Sequence, residues 1–256
     1  MTIKETPVYQ NDSLTLYHAD CMEIMKQVPD NYFDIAICDI PYGINVGNMA
    51  YLKETKTTVK QKNGTRLNGN KNKKAYTLKD WDKQPPPQEY FDELKRVSKE
   101  QIIFGVEYVN WQGLGLGRIK WNKGVAEGMS FKKYELAYCS MTDKEIELPL
   151  LWAGMCQAKS LSEPMTQQGN KKLNEKRIHP CHKPTLLYSK LISDYVHKNF
   201  KILDTHFGSG SIALAVHKAN QLDKMNLHLT ACEIDLEYID KAIRRIKDFT
   251  AQKSLF

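Results

Sequence analysis

Residues 201–211 read Lys-Ile-Leu-Asp-Thr-His-Phe-Gly-Ser-Gly-Ser, a short apolar run followed by a turn with two glycines. The run predicts a buried strand ending at Asp204, and the glycines allow backbone to lie close to a ligand. A helix is predicted for residues 212–219 and a strand for residues 227–233, which ends in Glu233. This is the order of a nucleotide-binding βαβ unit, in which the final carboxylate binds ribose hydroxyls. The stretch therefore predicts an α/β fold with a ligand at the glycine turn.

Two classes of ligand fit this unit. Gly208, Gly210 and Ala213 satisfy the relaxed dinucleotide pattern, which would indicate a dehydrogenase. Against that interpretation, no second mononucleotide-binding half is evident in the sequence. Asp204 at the strand end instead suits a ligand with a positive end, such as the sulfonium and ammonium groups of S-adenosylmethionine. A tight turn with an incidental acid is the structural alternative to both.

A second strand end lies at residues 34–43, Asp-Ile-Ala-Ile-Cys-Asp-Ile-Pro-Tyr-Gly. Its apolar run predicts a buried parallel strand, and ligands of open α/β sheets bind outside the carboxyl ends of such strands. Asp39 and the carbonyl of Ile40 can accept hydrogen bonds from an amino group, because Pro41 fixes the backbone and donates no N–H. Tyr42 can stack on a planar ring. Taken alone, the tetrapeptide is explained equally well as an ordinary strand-to-turn junction.

The remaining periodicity predicts further strands and helices around these two strand ends. Strands are predicted for residues 13–18, 101–105, 118–121 and 132–140, the last of them near a sheet edge, and helices for residues 22–28, 88–97, 185–200 and 236–249. Asp20 precedes the first of these helices and has two interpretations. It is either the helix N-cap or a carboxylate at a strand end that faces a ligand.

Composition excludes several classes of protein. The chain has 256 residues, and no apolar run approaches the roughly 20 residues that a membrane span needs. The first residues lack the basic start and apolar core of a signal peptide. The six cysteines are scattered without a Cys-x-x-Cys pair or a His/Cys cluster of ligand spacing. We therefore expect a cytoplasmic protein with reduced, mostly buried cysteines and no metal site.

Positive charge is concentrated in two irregular stretches. Between residues 53 and 83 the chain has ten Lys or Arg against three acids, within a loop predicted for residues 44–84 that we expect to be flexible. Residues 141–183 show no clear period and end in a second basic run. Both stretches suit a polyanion, since phosphate contacts supply most non-specific affinity for nucleic acids. A solvated loop and a surface insertion at the edge of the core are the alternatives.

Together these stretches resemble the amino-methyltransferases of DNA, in the beta-type order that places the catalytic tetrapeptide before the cofactor turn. Residues 203–211 resemble the family's cofactor turn, and residues 231–246 resemble its ribose-binding strand and helix. Residues 177–184 resemble the stretch before the first cofactor helix, and residues 17–20 the strand whose acid meets the cofactor adenine. The resemblance covers most of the chain and is far more specific than any one of these motifs.

Three positions depart from the family pattern. Residues 39–42 are Asp-Ile-Pro-Tyr where Asp-Pro-Pro-Tyr is usual, residues 205–206 are Thr-His where Pro-Phe is usual, and residues 181–182 are Cys-His where Thr-Gln is usual. The other motif residues are kept, so activity is expected. The departures leave a catalytically inert DNA-binding relative as an alternative.

The resemblance implies a beta-class (phage-type) DNA methyltransferase that uses S-adenosylmethionine. It implies one catalytic domain over residues 1–256 with a Rossmann-like fold: a mostly parallel twisted sheet, an antiparallel edge strand, circularly permuted motif order and irregular target-recognition insertions, for which residues 141–183 are the candidate. An acid at the first tetrapeptide position implies transfer to the N6 amine of an adenine flipped out of double-stranded DNA, with N4-cytosine as the alternative acceptor. The beta type is also compatible with a homodimer.

The resemblance also implies which residues form the site. Those expected to be catalytic are Asp39, Ile40, Pro41 and Tyr42. Those expected to bind the cofactor are Asp20, Cys21, Asp39, His182, Lys183, Thr185, Asp204, Phe207, Gly208, Ser209, Gly210, Glu233 and Ile234.

Overall fold

A computed structural model describes residues 3–45, 58–60, 66–68, 82–128 and 132–251. The strands of this part of the chain are β1 (Tyr9–Asn11), β2 (Leu14–His18), β3 (Phe33–Asp39), β4 (Thr58–Lys60), β5 (Arg66–Asn68), β6 (Ser98–Phe104), β7 (Arg118–Asn122), β8 (Tyr134–Cys139), β9 (Glu145–Pro149), β10 (Trp152–Ala153), β11 (Cys156–Gln157), β12 (Lys201–Asp204) and β13 (His228–Glu233). Its α-helices are α1 (Cys21–Met25), α2 (Gln88–Val97), α3 (Thr185–Tyr195), α4 (Ser211–Leu222) and α5 (Leu236–Ala251).

Nine of the described strands form one sheet in the order β1-β2-β13-β12-β3-β6-β8-β7-β9, and β10 with β11 and β4 with β5 form two separate pairs. Its centre is parallel from β2 to β6, with Ile202 of β12 opposite Leu229 of β13 on one side and Ile35 of β3 on the other. The chain leaves β12 through α4 to reach β13, but it leaves β3 through α2 to reach β6 on the opposite side. The connections thus diverge between β12 and β3, and ligands of open α/β sheets bind at such a switch point.

The edges of the sheet are partly as the sequence predicts. The antiparallel edge strand is β1, which pairs with β2. The strand predicted near an edge, β8, is antiparallel to both of its neighbours and lies between β6 and β7. The outer position belongs to β9, which lies within residues 141–183, where the sequence shows no period. Glu145, Ile146, Glu147 and Leu148 alternate polar and apolar side chains, but only Leu148 is buried, and sequence reasoning did not recognise this short strand.

Both faces of the central strands are buried, which explains their unbroken apolar runs. Side chains alternate across a strand, so Ile35 and Ile37 of β3 join a core beneath α3, α4 and α5. Ala36 and Cys38 join the opposite core beneath α1 and α2. The helices therefore sandwich the sheet and leave its strand ends to form the site.

Several element boundaries differ from the predictions. The helix predicted to reach residue 200 ends at Tyr195, because Val196 adopts an extended backbone with φ −108° and ψ 131°. Most of the predicted flexible loop lies outside the described residues; its described parts, β4 and β5, pair antiparallel. All six cysteines are free of disulfides, four of them buried. Within the described part of the chain, every helix is too short or too polar to cross a membrane.

Candidate active site

A cavity of about 410 Å³ opens at the carboxyl ends of the central strands. The tetrapeptide that follows β3 and the glycine turn that follows β12 both line it, although they are far apart in sequence. Most of the residues predicted for the site form its wall. They are Asp20, Cys21, Asp39, Ile40, Pro41, Tyr42, Lys183, Phe207, Gly208, Ser209, Glu233 and Ile234.

Asp39, the last residue of β3, is held by two hydrogen-bonding side chains at the cavity wall. The hydroxyl of Tyr42 donates to its Oδ1 at 3.0 Å, and the ammonium of Lys183 forms an ion pair with the same oxygen. Lys183 also donates to the Tyr42 hydroxyl at 2.9 Å. The turn itself is fixed by Asp82, whose Oδ1 accepts the N–H groups of Tyr42 and Gly43 at 2.7 and 2.9 Å. The backbone and side chain of Tyr42 are thus both constrained.

Glu135 of β8 completes this cluster and was missed by sequence reasoning. Its Oε2 lies 3.3 Å from Lys183 Nζ and 3.4 Å from the Tyr42 hydroxyl, while Oε1 forms an ion pair with Lys123. Two carboxylates and two ammonium groups therefore alternate beside the cavity. The polar positions of the predicted strand 132–140 were the available signal, and they were taken to mean a sheet edge.

The pKa shifts in this cluster follow from burial and mutual charge. Burial raises the pKa of Asp39; Lys183 opposes that shift and Glu135 adds to it. Burial also favours a raised pKa for Glu135, but Lys183 and Lys123 outweigh it and lower the pKa to about 2. The pKa of Lys183 lies above its ordinary value because its two carboxylate partners outweigh burial. Lys183 and Glu135 are therefore charged at neutral pH.

The ring of Tyr42 is confined from two sides. It stacks on Tyr108 with ring centroids 4.8 Å apart and an interplanar angle of 13°. Gly105 lies against the ring with φ +92°, and a Cβ at that position would lie 2.5 Å from Tyr42 Cδ1. Only glycine fits both this backbone conformation and this approach.

The glycine turn is tied to the end of β13. The Gly208 N–H donates to Glu233 Oε2 at 2.8 Å, while Oε1 accepts the N–H groups of Ile234 and Asp235 at 3.0 Å. Gly210 is the N-cap of α4 with φ +69°, and a Cβ there would lie 3.1 Å from the Phe207 ring. The conformation of the turn therefore depends on Gly208 and Gly210, the two glycines from which the sequence predicts a close backbone approach.

The cavity is acidic although the chain carries a net charge of +7. Of the described residues, four with carboxyl groups line it, Asp20, Asp39, Asp82 and Glu233, against one ammonium, that of Lys183. The two histidines of the wall are neutral at pH 7, because burial lowers the pKa of His179 to about 3 and that of His206 to about 4. This set of groups favours a ligand with positive charge.

Asp20 is the N-cap of α1 and also lies in the cavity wall; its contact with a ligand stays a prediction. Its Oδ1 accepts the Met22 N–H at 2.8 Å and so caps α1, and the residue also lines the cavity. A capping carboxylate uses one oxygen for the helix and can present the other to a ligand.

Four predicted cofactor residues do not line the cavity: His182, Thr185, Asp204 and Gly210. Asp204 is 2% exposed and accepts the His206 N–H at 3.0 Å, and burial raises its pKa to about 8. His182 and Thr185 lie behind the glycine turn, where both contact Glu175. Their contact with the cofactor stays a prediction.

The departure at residues 205–206 has a local partner. Tyr90 of α2 shares a hydrogen bond of 2.6 Å with the Thr205 hydroxyl, which lies 2.9 Å from His206 Nδ1. All three residues line the cavity. A hydrogen-bonded chain therefore stands where the family usually has Pro-Phe.

A comparison with protein families finds one that fits this arrangement. The family model described as DNA methylase (N6_N4_Mtase) matches residues 54–244, about three quarters of the 256-residue chain. The chain belongs to the N6/N4 DNA methylase family. Membership confirms the predicted DNA methyltransferase class, the Rossmann-like fold and S-adenosylmethionine as the cofactor.

A comparison with solved structures finds chains that are similar to this one and include a DNA methyltransferase. The PvuII DNA methyltransferase, which is cytosine-N4-specific, matches with a TM-score of 0.51 and 12% identity over 97% of this chain and 95% of that chain. The crystal structure of the M1.HpyAVI-SAM complex matches with a TM-score of 0.45 and 18% identity over 91% of this chain and 99% of that chain. At such identity the first likeness shows the fold alone. A comparison with curated proteins gives no match.

Proposed function

We propose that this DNA methyltransferase transfers the methyl group of S-adenosylmethionine to the N6 amine of adenine in double-stranded DNA. The observation that carries the proposal is that the Asp39 carboxylate and the Gly208 turn line the same cavity. The acid at the first tetrapeptide position favours adenine, by the resemblance described above. N4-cytosine is the alternative acceptor.

The residues present fit S-adenosylmethionine. Four carboxyl groups against one ammonium suit its sulfonium and ammonium charges. Glu233 ends β13 beside the glycine turn, where a carboxylate can bind ribose hydroxyls. Ile234 is 57% exposed, so its side chain can cover an apolar ring at the cavity mouth. When bound, the cofactor supplies an activated methyl group.

Asp39 would orient the acceptor amine. An exocyclic amine is a poor nucleophile because its lone pair is conjugated with the ring, and a carboxylate that accepts its N–H bonds directs that lone pair. In the structure, Tyr42 donates to Oδ1 of Asp39 and has a second acceptor, Glu135 Oε2, at 3.4 Å. The Tyr42 hydroxyl can therefore turn to Glu135 when an amine takes its place. Positioning and fixed charge supply the acceleration.

The acceptor base would have to leave the duplex to enter the cavity. An amine inside stacked DNA is out of reach, and extruding a base costs a few kcal/mol. Tyr42 at the cavity wall offers a ring on which the base can stack. Residues 44–84 and 141–183 supply positive charge for phosphate contacts and groups that can read base edges.

Transfer of a labelled methyl group to duplex DNA, followed by digestion to nucleosides, tests the proposal. Label in N6-methyldeoxyadenosine is expected, and Asp39→Asn should reduce it at least about 100-fold with S-adenosylmethionine binding retained by calorimetry. Asp194→Asn, in a surface ion pair of α3, is the matched carboxylate-to-amide control. Label in N4-methyldeoxycytidine would show that the acceptor is cytosine and not adenine. Absence of cofactor binding would instead favour the inert DNA-binding relative.

A further inference from the structure

A buried ion pair behind the glycine turn joins two distant parts of the chain. Arg245 of α5 and Glu175 are 13% and 20% exposed, and neither lines the cavity. We propose that Arg245 and Glu175 are positioning residues, which hold the glycine turn in the conformation that binds the methyl donor and link it to the segment proposed to contact DNA. This inference rests on the proposed function, since it assigns the turn to S-adenosylmethionine.

Arg245 contacts the turn from behind. Its Nη1 donates to the carbonyl of Ser209 at 2.7 Å and to the Ser211 hydroxyl at 3.0 Å. Ser209 lines the cavity, so Arg245 holds the backbone of a cavity residue from the side that faces away from the cavity. The second nitrogen, Nη2, forms the ion pair with Glu175 and donates to Thr185 Oγ1 at 3.1 Å. A planar guanidinium can make these bonds at once, whereas an ammonium cannot.

Glu175 in turn is fixed to the N-terminus of α3. Its carboxylate accepts the Thr185 N–H at 3.0 Å and the Thr185 hydroxyl at 2.7 Å, and it lies 3.2 Å from His182 Nε2. His182 Nε2 also lies 3.3 Å from the Ser211 hydroxyl, so the glycine turn is reached by a second path. Burial favours a raised pKa for Glu175, but His182 and Arg245 outweigh it and lower the pKa to about 2. The carboxylate is therefore charged when it binds Arg245.

The backbone of Glu175 connects this junction to the hairpin of β10 and β11. Gln157 of β11 donates to the Glu175 carbonyl at 2.9 Å and accepts the Glu175 N–H at 2.7 Å. Trp152 of β10 stacks on His182 with ring centroids 5.9 Å apart, and the guanidinium of Arg177 lies over the Trp152 ring, 4.5 Å from its centroid. The hairpin belongs to residues 141–183. If DNA displaced residues 141–183, the displacement would thus reach Ser209 through side chains that do not line the cavity.

The role of the junction is tested by steady-state kinetics and calorimetry on the full chain. Arg245→Gln should raise the KM and Kd for S-adenosylmethionine about tenfold while kcat changes less than about threefold. Arg245→Lys keeps the charge but not the fork, so we expect a smaller rise in the same two constants. If Arg245→Gln does not fold, Arg245→Lys carries the test.

Arg96→Gln is the matched control. Arg96 of α2 also bonds to two carbonyls, those of Val28 and Met25, and to the carboxylates of Asp30 and Glu93, but it lies outside the cavity wall. The Arg96→Gln variant should have a lower unfolding temperature and an unchanged cofactor Kd. Equal Kd values for wild type and both Arg245 variants, or an equal rise in Arg96→Gln, would overturn the inference. A wild type that binds no cofactor would instead refute the proposed function.

Discussion

The buried ammonium of Lys183 is paired with two carboxylates. The losses in free energy of unfolding caused by replacing each carboxylate should therefore not be additive. The Lys183 side chain is 5% exposed, and its partners Asp39 and Glu135 are 17% and 14% exposed. The perturbation is a double-mutant cycle of Asp39→Asn, Glu135→Gln and both together. The amides keep the shape of each acid and one acceptor oxygen, and they replace the other oxygen and the negative charge with a neutral NH₂ donor.

The magnitude follows from what Lys183 retains in each variant. Either single change leaves Lys183 with one counter-charge. Glu135→Gln also removes the ion-pair partner of Lys123 and relieves the repulsion that helps to raise the pKa of Asp39. We expect each to lower the free energy of unfolding by about 1 kcal/mol, as for one lost hydrogen bond. The double variant leaves a buried ammonium without a counter-charge, which costs about 4 kcal/mol. The coupling between Asp39 and Glu135 is therefore about 2 kcal/mol.

Urea unfolding of the four proteins at neutral pH measures this coupling, with the surface variant Asp194→Asn as control. The m value should be the same in all of them. Single-variant losses that add within about 0.5 kcal/mol would refute the shared ammonium, because independent sites behave in that way. The cycle needs no methyl transfer, so its outcome does not depend on the proposed reaction.

Three further outcomes are expected. Gly105→Ala should reduce methyl transfer at least about tenfold by moving the Tyr42 ring, and should lower stability by about 1–2 kcal/mol because φ is +92°; an unchanged kcat measured by label transfer would contradict this reason. Because the pKa of Glu135 falls from 4.5 to about 2 on folding, the stability that its charge contributes is present above pH 4.5 and is lost as the pH falls toward 2. The free energy of unfolding, measured by circular dichroism between neutral and acid pH, should therefore depend less on pH in Glu135→Gln than in wild type. DNA affinity should fall steeply with salt, and a flat response in a titration would mean that residues 53–83 make no phosphate contacts.

Elements with a strong local pattern could be predicted from the sequence. Helix α2 has the predicted bounds because Tyr90, Phe91, Leu94 and Val97 recur at helical spacing and are all buried. Helix α3 ends early because its C-cap, Val196, turns extended without a glycine or proline that would signal the end. Strand β9 was missed although Ile146 and Leu148 alternate with glutamates, because the run ends after four residues at Pro149 and this edge strand is held by its backbone pairing with β7.

The sequence by itself determined the two strand ends and their chemistry. An apolar run before Asp39, and another before a turn with Gly208 and Gly210, are local patterns that need no knowledge of neighbouring elements. They were sufficient for the α/β fold, and together with residues 17–20, 177–184 and 231–246 they carried the resemblance that implied the cofactor and the family.

Only the tertiary structure decided which charges surround those strand ends. Lys123, Glu135 and Glu175 belong to no motif, and Arg245, within residues 231–246, had no predicted role. Glu135 contacts Lys183, and Glu175 contacts Arg245, across long stretches of chain. Their pairing depends on the strand order, which places β8 beside β6, and on the packing of α5 against the sheet. Charge–charge contact is a property of distance in space, and a sequence pattern records only distance along the chain.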